Sequence, residues 1–146
     1  MYSSNLTNAN FDVLFKFVGI DPKSVSPGAY EYLRSHSYII MLDWASDAHS
    51  NNRNKTTISY DSVKGAQLIG VSTDVPNVFS STKFKPIVLK ALAKSSEIPE
   101  RTYRIGKQAV DAAKLYLTSF IVQMLKDVKE QSESKDDHLA ILLNLS

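Results

Sequence analysis

The sequence contains no cysteine, which excludes disulfide bonds and thiolate metal sites. It has only 5 glycines, and none of them forms the glycine-rich loop that cradles phosphate groups in nucleotide-binding enzymes. The 3 histidines, His36, His49 and His138, are scattered, whereas metal ligands recur at matched spacings. No apolar run approaches the length that crosses a membrane. We therefore expect no enzyme activity, no metal, no cofactor, no small-molecule substrate and no membrane partner.

An excess of charge of one sign is also missing. The chain has 17 Lys and Arg residues against 15 Asp and Glu residues, a net charge of +2. A nucleic-acid role cannot rest on bulk charge and requires local clusters of basic residues. The 146 residues, of which 43% are hydrophobic, suffice for one compact domain with a core.

The longest regular pattern begins at Ser26 and Pro27. Ser26 can accept hydrogen bonds from first-turn N–H groups, and Pro27 suits the first helical position, which needs no N–H. No Gly or Pro interrupts the pattern between Ala29 and Asn52. This predicts one long amphipathic helix. Its apolar stripe, at three- and four-residue steps, comprises Tyr30, Leu33, Ser37, Ile40, Met41, Trp44, Ala45 and Ala48.

A short–long–short order of helices appears twice in the sequence. The first unit covers residues 1–70, with the long helix between two short ones. A connector follows at residues 71–83, where proline and serine predict irregular structure. The second unit covers residues 84–146 and begins with a short helix that has Pro86 at its first position.

The second long helix is predicted from Lys107 to Ser132, and Asp136 can cap a final short helix. We expect Phe120 and Tyr116 to be buried mid-stripe, facing equivalent residues of the first long helix. Its stripe comprises Ala109, Ala112, Ala113, Tyr116, Leu117, Phe120, Met124 and Val128.

The loop after the first long helix carries a short motif, Asn54-Lys55-Thr56-Thr57-Ile58. The residues around it belong to the same pattern: Leu14, Val18, Gly19, Ile20, Ala45, Ala48, His49, Asp61 and Val63. With these residues the first unit resembles the histone fold of archaeal histones and histone-like TBP-associated factors. The chain departs from that family at Lys55, where arginine is usual, and at Asp61, one residue before the aspartate that normally pairs with it. The second unit resembles the family less closely, through Lys85-Pro86-Ile87 and residues 104–109.

The resemblance implies an all-α fold in which the two units form an intramolecular pseudo-dimer with crossing long helices. A plain six-helix bundle with the same stripes is the alternative. In a histone pair, the second loop of one unit lies beside the first loop of the other. That arrangement would make one basic patch from Arg53, Lys55, Thr56, Thr57, Arg101, Arg104 and Lys107.

The functional expectation follows from this patch. It is a histone-fold scaffold or DNA-backbone-binding module of a transcription or chromatin assembly, located in the nucleus, in a reducing compartment. Its partners would be double-stranded DNA, bound without sequence preference, and other subunits of a nuclear complex through protein heterodimerisation. The alternative is an all-helical protein–protein interaction adaptor, viral or regulatory, in which these loop charges are only solvated and bind no nucleic acid.

Overall fold

The computed structural model describes residues 5–50, 56–63, 74–96, 102–130 and 142–143. These residues are mostly helical, with one very small sheet, so the predicted all-α class is confirmed. The elements in chain order are α1 (Asn8–Phe17), a 3-10 turn (Pro22–Ser24), α2 (Pro27–Ser50), β1 (Thr57–Ile58), α3 (Tyr60–Val63), α4 (Ser81–Ser95), β2 (Arg104–Ile105) and α5 (Lys107–Glu130).

The start of α2 agrees with the sequence prediction, because Pro27 is its first residue. The Ser26 hydroxyl, expected to act as an acceptor here, donates a hydrogen bond to the carbonyl of Leu142 at 2.6 Å. The backbone N–H of Ser26 donates to the same carbonyl at 2.9 Å. A residue far along the chain therefore fixes the beginning of α2. Trp44, in the second half of α2, is fully buried as predicted.

The predicted start of α4 is wrong. This helix begins at Ser81, inside the expected connector, and Pro86 is an interior residue rather than the first. A proline in a helix interior removes one backbone hydrogen bond and costs about 3 kcal/mol. The longer helix gains the burial of Phe84, which is 1% exposed and packs 5.6 Å from the ring of Phe79. Burying a phenylalanine contributes about 1.5–3 kcal/mol, which offsets much of that cost.

The predicted apolar stripe of α5 is also partly wrong. Phe120 is 46% exposed, and Tyr116 is only half-buried. The buried face is rotated away from them and includes Leu117 and Ile121. The physical reason is Lys114, which lies on the buried face and is 6% exposed. A lysine inside the apolar face breaks the hydrophobic pattern and shifts the apparent stripe toward the neighbouring aromatic residues.

Three predicted helix segments fall outside the described residues. The short helix after β1 is described as α3, Tyr60–Val63, and the remainder of the first unit, up to residue 70, lies outside the described residues. The expected end of α5 at Ser132 lies two residues beyond the described part. Of the final helix after Asp136, only residues 142–143 are described, and Leu143 is fully buried.

The two long helices have the same length and share a central series of buried positions. Each has 24 residues. When their first residues are aligned, a series of equivalent positions is buried in both helices. The pairs are Ala29 with Ala109, Leu33 with Ala113, Ser37 with Leu117, Met41 with Ile121, Ala45 with Leu125, and Ala48 with Val128. This shared register is the one expected of two similar units.

Contacts between the halves repeat in the same way. His49, the second-last residue of α2, has its Nε2 atom 2.7 Å from the carbonyl oxygen of Leu92 in the last turn of α4. Lys129, the second-last residue of α5, donates from Nζ to the carbonyl of Val18 at the end of α1, at 2.9 Å. Each long helix therefore binds the end of the short helix that precedes the other one.

Candidate nucleic-acid interface

The loop after α2 and the loop before α5 pair through the only sheet among the described residues. Strands β1 and β2 run parallel, with Thr57 opposite Arg104 and Ile58 opposite Ile105. The N–H of Arg104 donates to the carbonyl of Thr56 at 2.8 Å, and the N–H of Gly106 donates to that of Ile58 at 3.0 Å. The two loops, distant in sequence, are thereby held side by side.

The alternation of side chains along these strands separates a core face from a solvent face. Ile58 is fully buried and Ile105 is 7% exposed, so this pair anchors the sheet in the core. Thr57 and Arg104 are both exposed. Because successive residues of a strand point to opposite sides, burial of the isoleucine pair directs the Thr57 and Arg104 side chains to solvent.

The N-terminus of α5 lies at the same place. Lys107 is the first residue of this helix and is exposed, directly after β2 and Gly106. A helix N-terminus presents free N–H groups and a partial positive charge, which suits a phosphate oxygen. Arg104, Lys107 and this helix end therefore combine two full positive charges with backbone donors.

The seven residues predicted to form one basic patch divide into two sets. Four are described and exposed at the paired loops: Thr56, Thr57, Arg104 and Lys107. The other three, Arg53, Lys55 and Arg101, lie outside the described residues. Lys55 immediately precedes Thr56 in the chain, and Arg101 is three residues before Arg104.

Tyr103 and Ser96 support the paired loops, and neither was singled out as a site residue from the sequence. Tyr103, directly before β2, is 7% exposed and packs its ring edge-to-face against His49, with centroids 5.0 Å apart. Its hydroxyl lies 2.9 Å from the Oγ of Ser96. These contacts tie β2 to the ends of α2 and α4. In the sequence, the signal for Tyr103 was its position as an aromatic residue between the basic loop residues Arg101 and Arg104.

A cleft of about 450 Å³ lies beside the N-terminal half of α5. Among its lining residues are Pro76, Asn77, Ser81, Lys107, Asp111 and Lys114. The Nζ of Lys114 donates to Ser81 Oγ at 2.7 Å, to the carbonyl of Phe79 at 3.2 Å and to Asn77 Oδ1 at 3.3 Å. An ammonium group has three hydrogens, so these acceptors use all of them. Lys114 therefore anchors the segment before α4 rather than offering a charge to a ligand.

The described part of the chain contains no group of three or more His, Asp or Glu side chains that could hold a metal ion. Across the same residues, no helix combines the length and the apolar character needed to cross a membrane.

No protein-family model, curated protein or solved structure matches this chain.

Proposed function

We propose that the chain is a histone-fold-type scaffold of a nuclear transcription or chromatin assembly, and that its paired loops bind the backbone of double-stranded DNA. The observation that carries the proposal is the parallel pairing of Thr57–Ile58 with Arg104–Ile105. This pairing supports the proposal because it sets exposed Thr57 opposite exposed Arg104, with exposed Lys107 two residues after the strand. Hydroxyl, guanidinium and ammonium groups contact phosphate and sugar without reading sequence.

The proposed pseudo-dimer is supported by the repeated register of the long helices and by the reciprocal contacts of His49 and Lys129. A single short–long–short unit would expose the apolar stripe of its long helix to water. Two units in one chain bury both stripes against each other and against the short helices. The packing of the two units that buries the stripes would also bring the two loops together.

The binding energy would come mainly from release of counterions. For duplex DNA the slope of log affinity against log salt is about −0.9 per neutralised phosphate. Arg104 and Lys107 contribute two such contacts, and the basic residues of the adjoining loops add to them. The affinity should therefore fall steeply with salt and differ little between unrelated duplexes.

Titration of a fluorescent duplex at low and at moderate salt tests this proposal. We expect wild type to bind two unrelated duplexes equally at low salt. The variant Arg104→Glu with Lys107→Glu should lose this binding without unfolding, because exposed charges contribute little to stability. Arg53→Glu with Lys55→Glu should act in the same way.

The matched control makes the same charge change at the other end of the long helices. Lys16→Glu with Lys23→Glu alters two exposed lysines near the start of α2, whereas Lys107 lies at the end of the molecule near the end of α2. A helix of 24 residues spans about 36 Å, so these lysines are remote from the paired loops. An equal loss in the control, or no wild-type binding even at low salt, contradicts the proposal.

A second candidate function is an interaction adaptor without a nucleic-acid role. The observation that favours it is the exposure of several large apolar side chains. They are Val13 (45% exposed), Phe17 (42%), Ile39 (53%) and Phe120 (46%). Exposed apolar groups of this size are typical of protein-binding surfaces when they lie together.

A further inference from the structure

The outer face of α1 carries a row of apolar side chains that are accessible to solvent. Val13 is 45% exposed, and Phe17, one turn later, is 42% exposed. Ala9, one turn before Val13, is exposed as well. Residues four apart are neighbours on one side of a helix, so these three side chains form a continuous row. The other side of α1 is buried in the core through Phe11 and Leu14.

Two ammonium groups border this row. Lys16 follows Val13 by three residues and is exposed, so it lies beside Val13 on the outer face of α1. Lys126 approaches from α5, with its Nζ atom 5.9 Å from the centroid of the Phe17 ring. Within the part of the chain that the structure describes, neither lysine forms an ion pair.

The carboxylates nearest to these lysines in the sequence have other hydrogen-bond partners. Asp12, one turn before the first lysine, accepts a hydrogen bond from the Tyr30 hydroxyl at 2.6 Å. Asp127, directly after the second lysine, accepts one from the side-chain amide of Gln123 at 2.8 Å. The exposed apolar row therefore has positive charge at its borders that no ion pair within the described residues compensates.

We propose that this α1 surface, made of Ala9, Val13, Lys16, Phe17 and Lys126, docks a helical segment of a partner protein that carries glutamate or aspartate beside its apolar side chains. Apolar side chains of the partner would cover the exposed row. Its carboxylates would face the two ammonium groups, which complement negative charge and oppose positive charge.

The shape of the surface favours a helix as the occupant. Side chains four residues apart form the ridges that interlock in the commonest class of helix–helix packing. Helix α1 has 10 residues and is therefore about 15 Å long, which matches a partner helix of two to three turns.

Two other occupants fit the surface less well. A second copy of this chain that used the same surface would bring the same lysines to the contact, where like charges oppose association. The backbone of DNA would satisfy the lysines but would leave the ring of Phe17 without an apolar cover. The proposed docking uses none of the residues assigned to duplex binding and goes beyond that function.

The test uses the full isotope-labelled chain and two designed amphipathic peptides. One peptide has glutamate beside a row of leucines, and the second has lysine at every glutamate position. We expect the glutamate peptide to shift the amide NMR signals of α1 around Val13 and Phe17. The lysine peptide should bind at least about tenfold more weakly, which corresponds to about 1.4 kcal/mol. Added salt should narrow this difference, because it screens exposed charges.

Variants of exposed residues separate this surface from general stickiness. Phe17→Ser should weaken binding of the glutamate peptide at least about tenfold, since removal of a central aromatic residue is among the larger interface effects. Phe120→Ser is the matched control, because Phe120 is 46% exposed on α5 and lies outside the row. It should leave binding unchanged. Lys16→Gln with Lys126→Gln should narrow the difference between the two peptides.

Circular dichroism of each variant verifies that it is folded. Val13→Ser, at the centre of the row, provides the same test if Phe17→Ser does not fold. The proposal is overturned if neither peptide binds, if both bind equally, or if Phe120→Ser weakens binding as much as Phe17→Ser.

Two further results would assign the surface to another occupant and overturn the proposal. One is a wild-type mass that doubles with concentration and that Phe17→Ser returns to the monomer, which indicates a second copy. The other is a duplex that shifts the signals of α1 more than those of Arg104, which indicates nucleic acid. Binding of the glutamate peptide without any duplex binding would contradict the proposed function alone.

Discussion

Replacing Lys114 with methionine tests how the segment before α4 is held. Methionine keeps an unbranched side chain in a site that is 6% exposed, puts sulfur in place of the Cδ methylene and removes the ammonium group. The carbonyl of Phe79, whose bond to Nζ is buried, then loses its donor. Ser81 and Asn77 lose one as well, but they are accessible enough for water to replace it.

The expected loss of stability follows from the number of acceptors that lose their donor and from how buried each acceptor is. A buried acceptor left without a donor costs about 1–3 kcal/mol, and the partly exposed ones add little. The pair with Asp111, at 3.4 Å and with the carboxylate side chain 46% exposed, contributes at most a fraction of that amount. We therefore expect Lys114→Met to reduce the free energy of unfolding by about 1–3 kcal/mol. That is a large part of the typical margin of a domain.

Urea unfolding followed by the fluorescence of Trp44, the one tryptophan in the chain, measures this change. Lys126→Met is the control, because Lys126 is exposed on the same helix and should change stability by less than about 0.5 kcal/mol. Hydrogen exchange adds a local readout, since the amides from Phe79 to Ser81 should exchange faster in Lys114→Met. Unchanged stability together with unchanged exchange at these amides would refute the reasoning.

Two further predictions concern the core and the pH dependence. Leu117→Ala should reduce the unfolding free energy by about 2–5 kcal/mol, because Leu117 is fully buried, whereas Phe120→Ala should cost about 1 kcal/mol or less on the same urea assay. An equal loss for both variants would place Phe120 in the core after all. Burial, with the hydrogen bond to Asp12 at 2.6 Å and the charge of that carboxylate, raises the pKa of Tyr30 from 10.0 to about 12. The folded state therefore favours the protonated phenol, and the raised pKa of Tyr30 stabilises the fold in full below pH 10. This stabilisation is lost as the pH rises toward 12. The Tyr30→Phe variant should not show that loss.

The long helices could be predicted from the sequence because several local signals agree there. Pro27 marks the start of α2, no Gly or Pro occurs from Ala29 to the end of the helix, and Trp44 lies on a regular apolar stripe. The pairing of the two loops also followed from the family resemblance, and the structure places Thr57 opposite Arg104. The roles proposed for these loop residues remain predictions.

Two predictions, the burial of Phe120 and the start of α4 at Pro86, were wrong because tertiary contacts override the local sequence pattern there. Phe120 was predicted to be a core residue because the predicted apolar stripe of α5 left out Lys114. Lys114 is buried because it donates to oxygens of Asn77, Phe79 and Ser81, which are remote in sequence. Pro86 looked like a helix start because local geometry favours it there. The longer helix is stabilised by the burial of Phe84, two residues before Pro86, and that burial depends on the contact with Phe79.

The contact between Ser26 and Leu142 has a consequence for the order of folding. The two residues are 116 positions apart, and the bond from Lys129 to Val18 spans 111. During synthesis, residues 1–70 are made before any residue of α5. The apolar stripe of α2 therefore stays exposed until α5 is available to bury it. Neither half should then form a stable core alone, and the chain should fold in one late, cooperative step. Nascent chains that end before α5 would consequently expose apolar surface and be prone to aggregation, the hazard against which chaperones act.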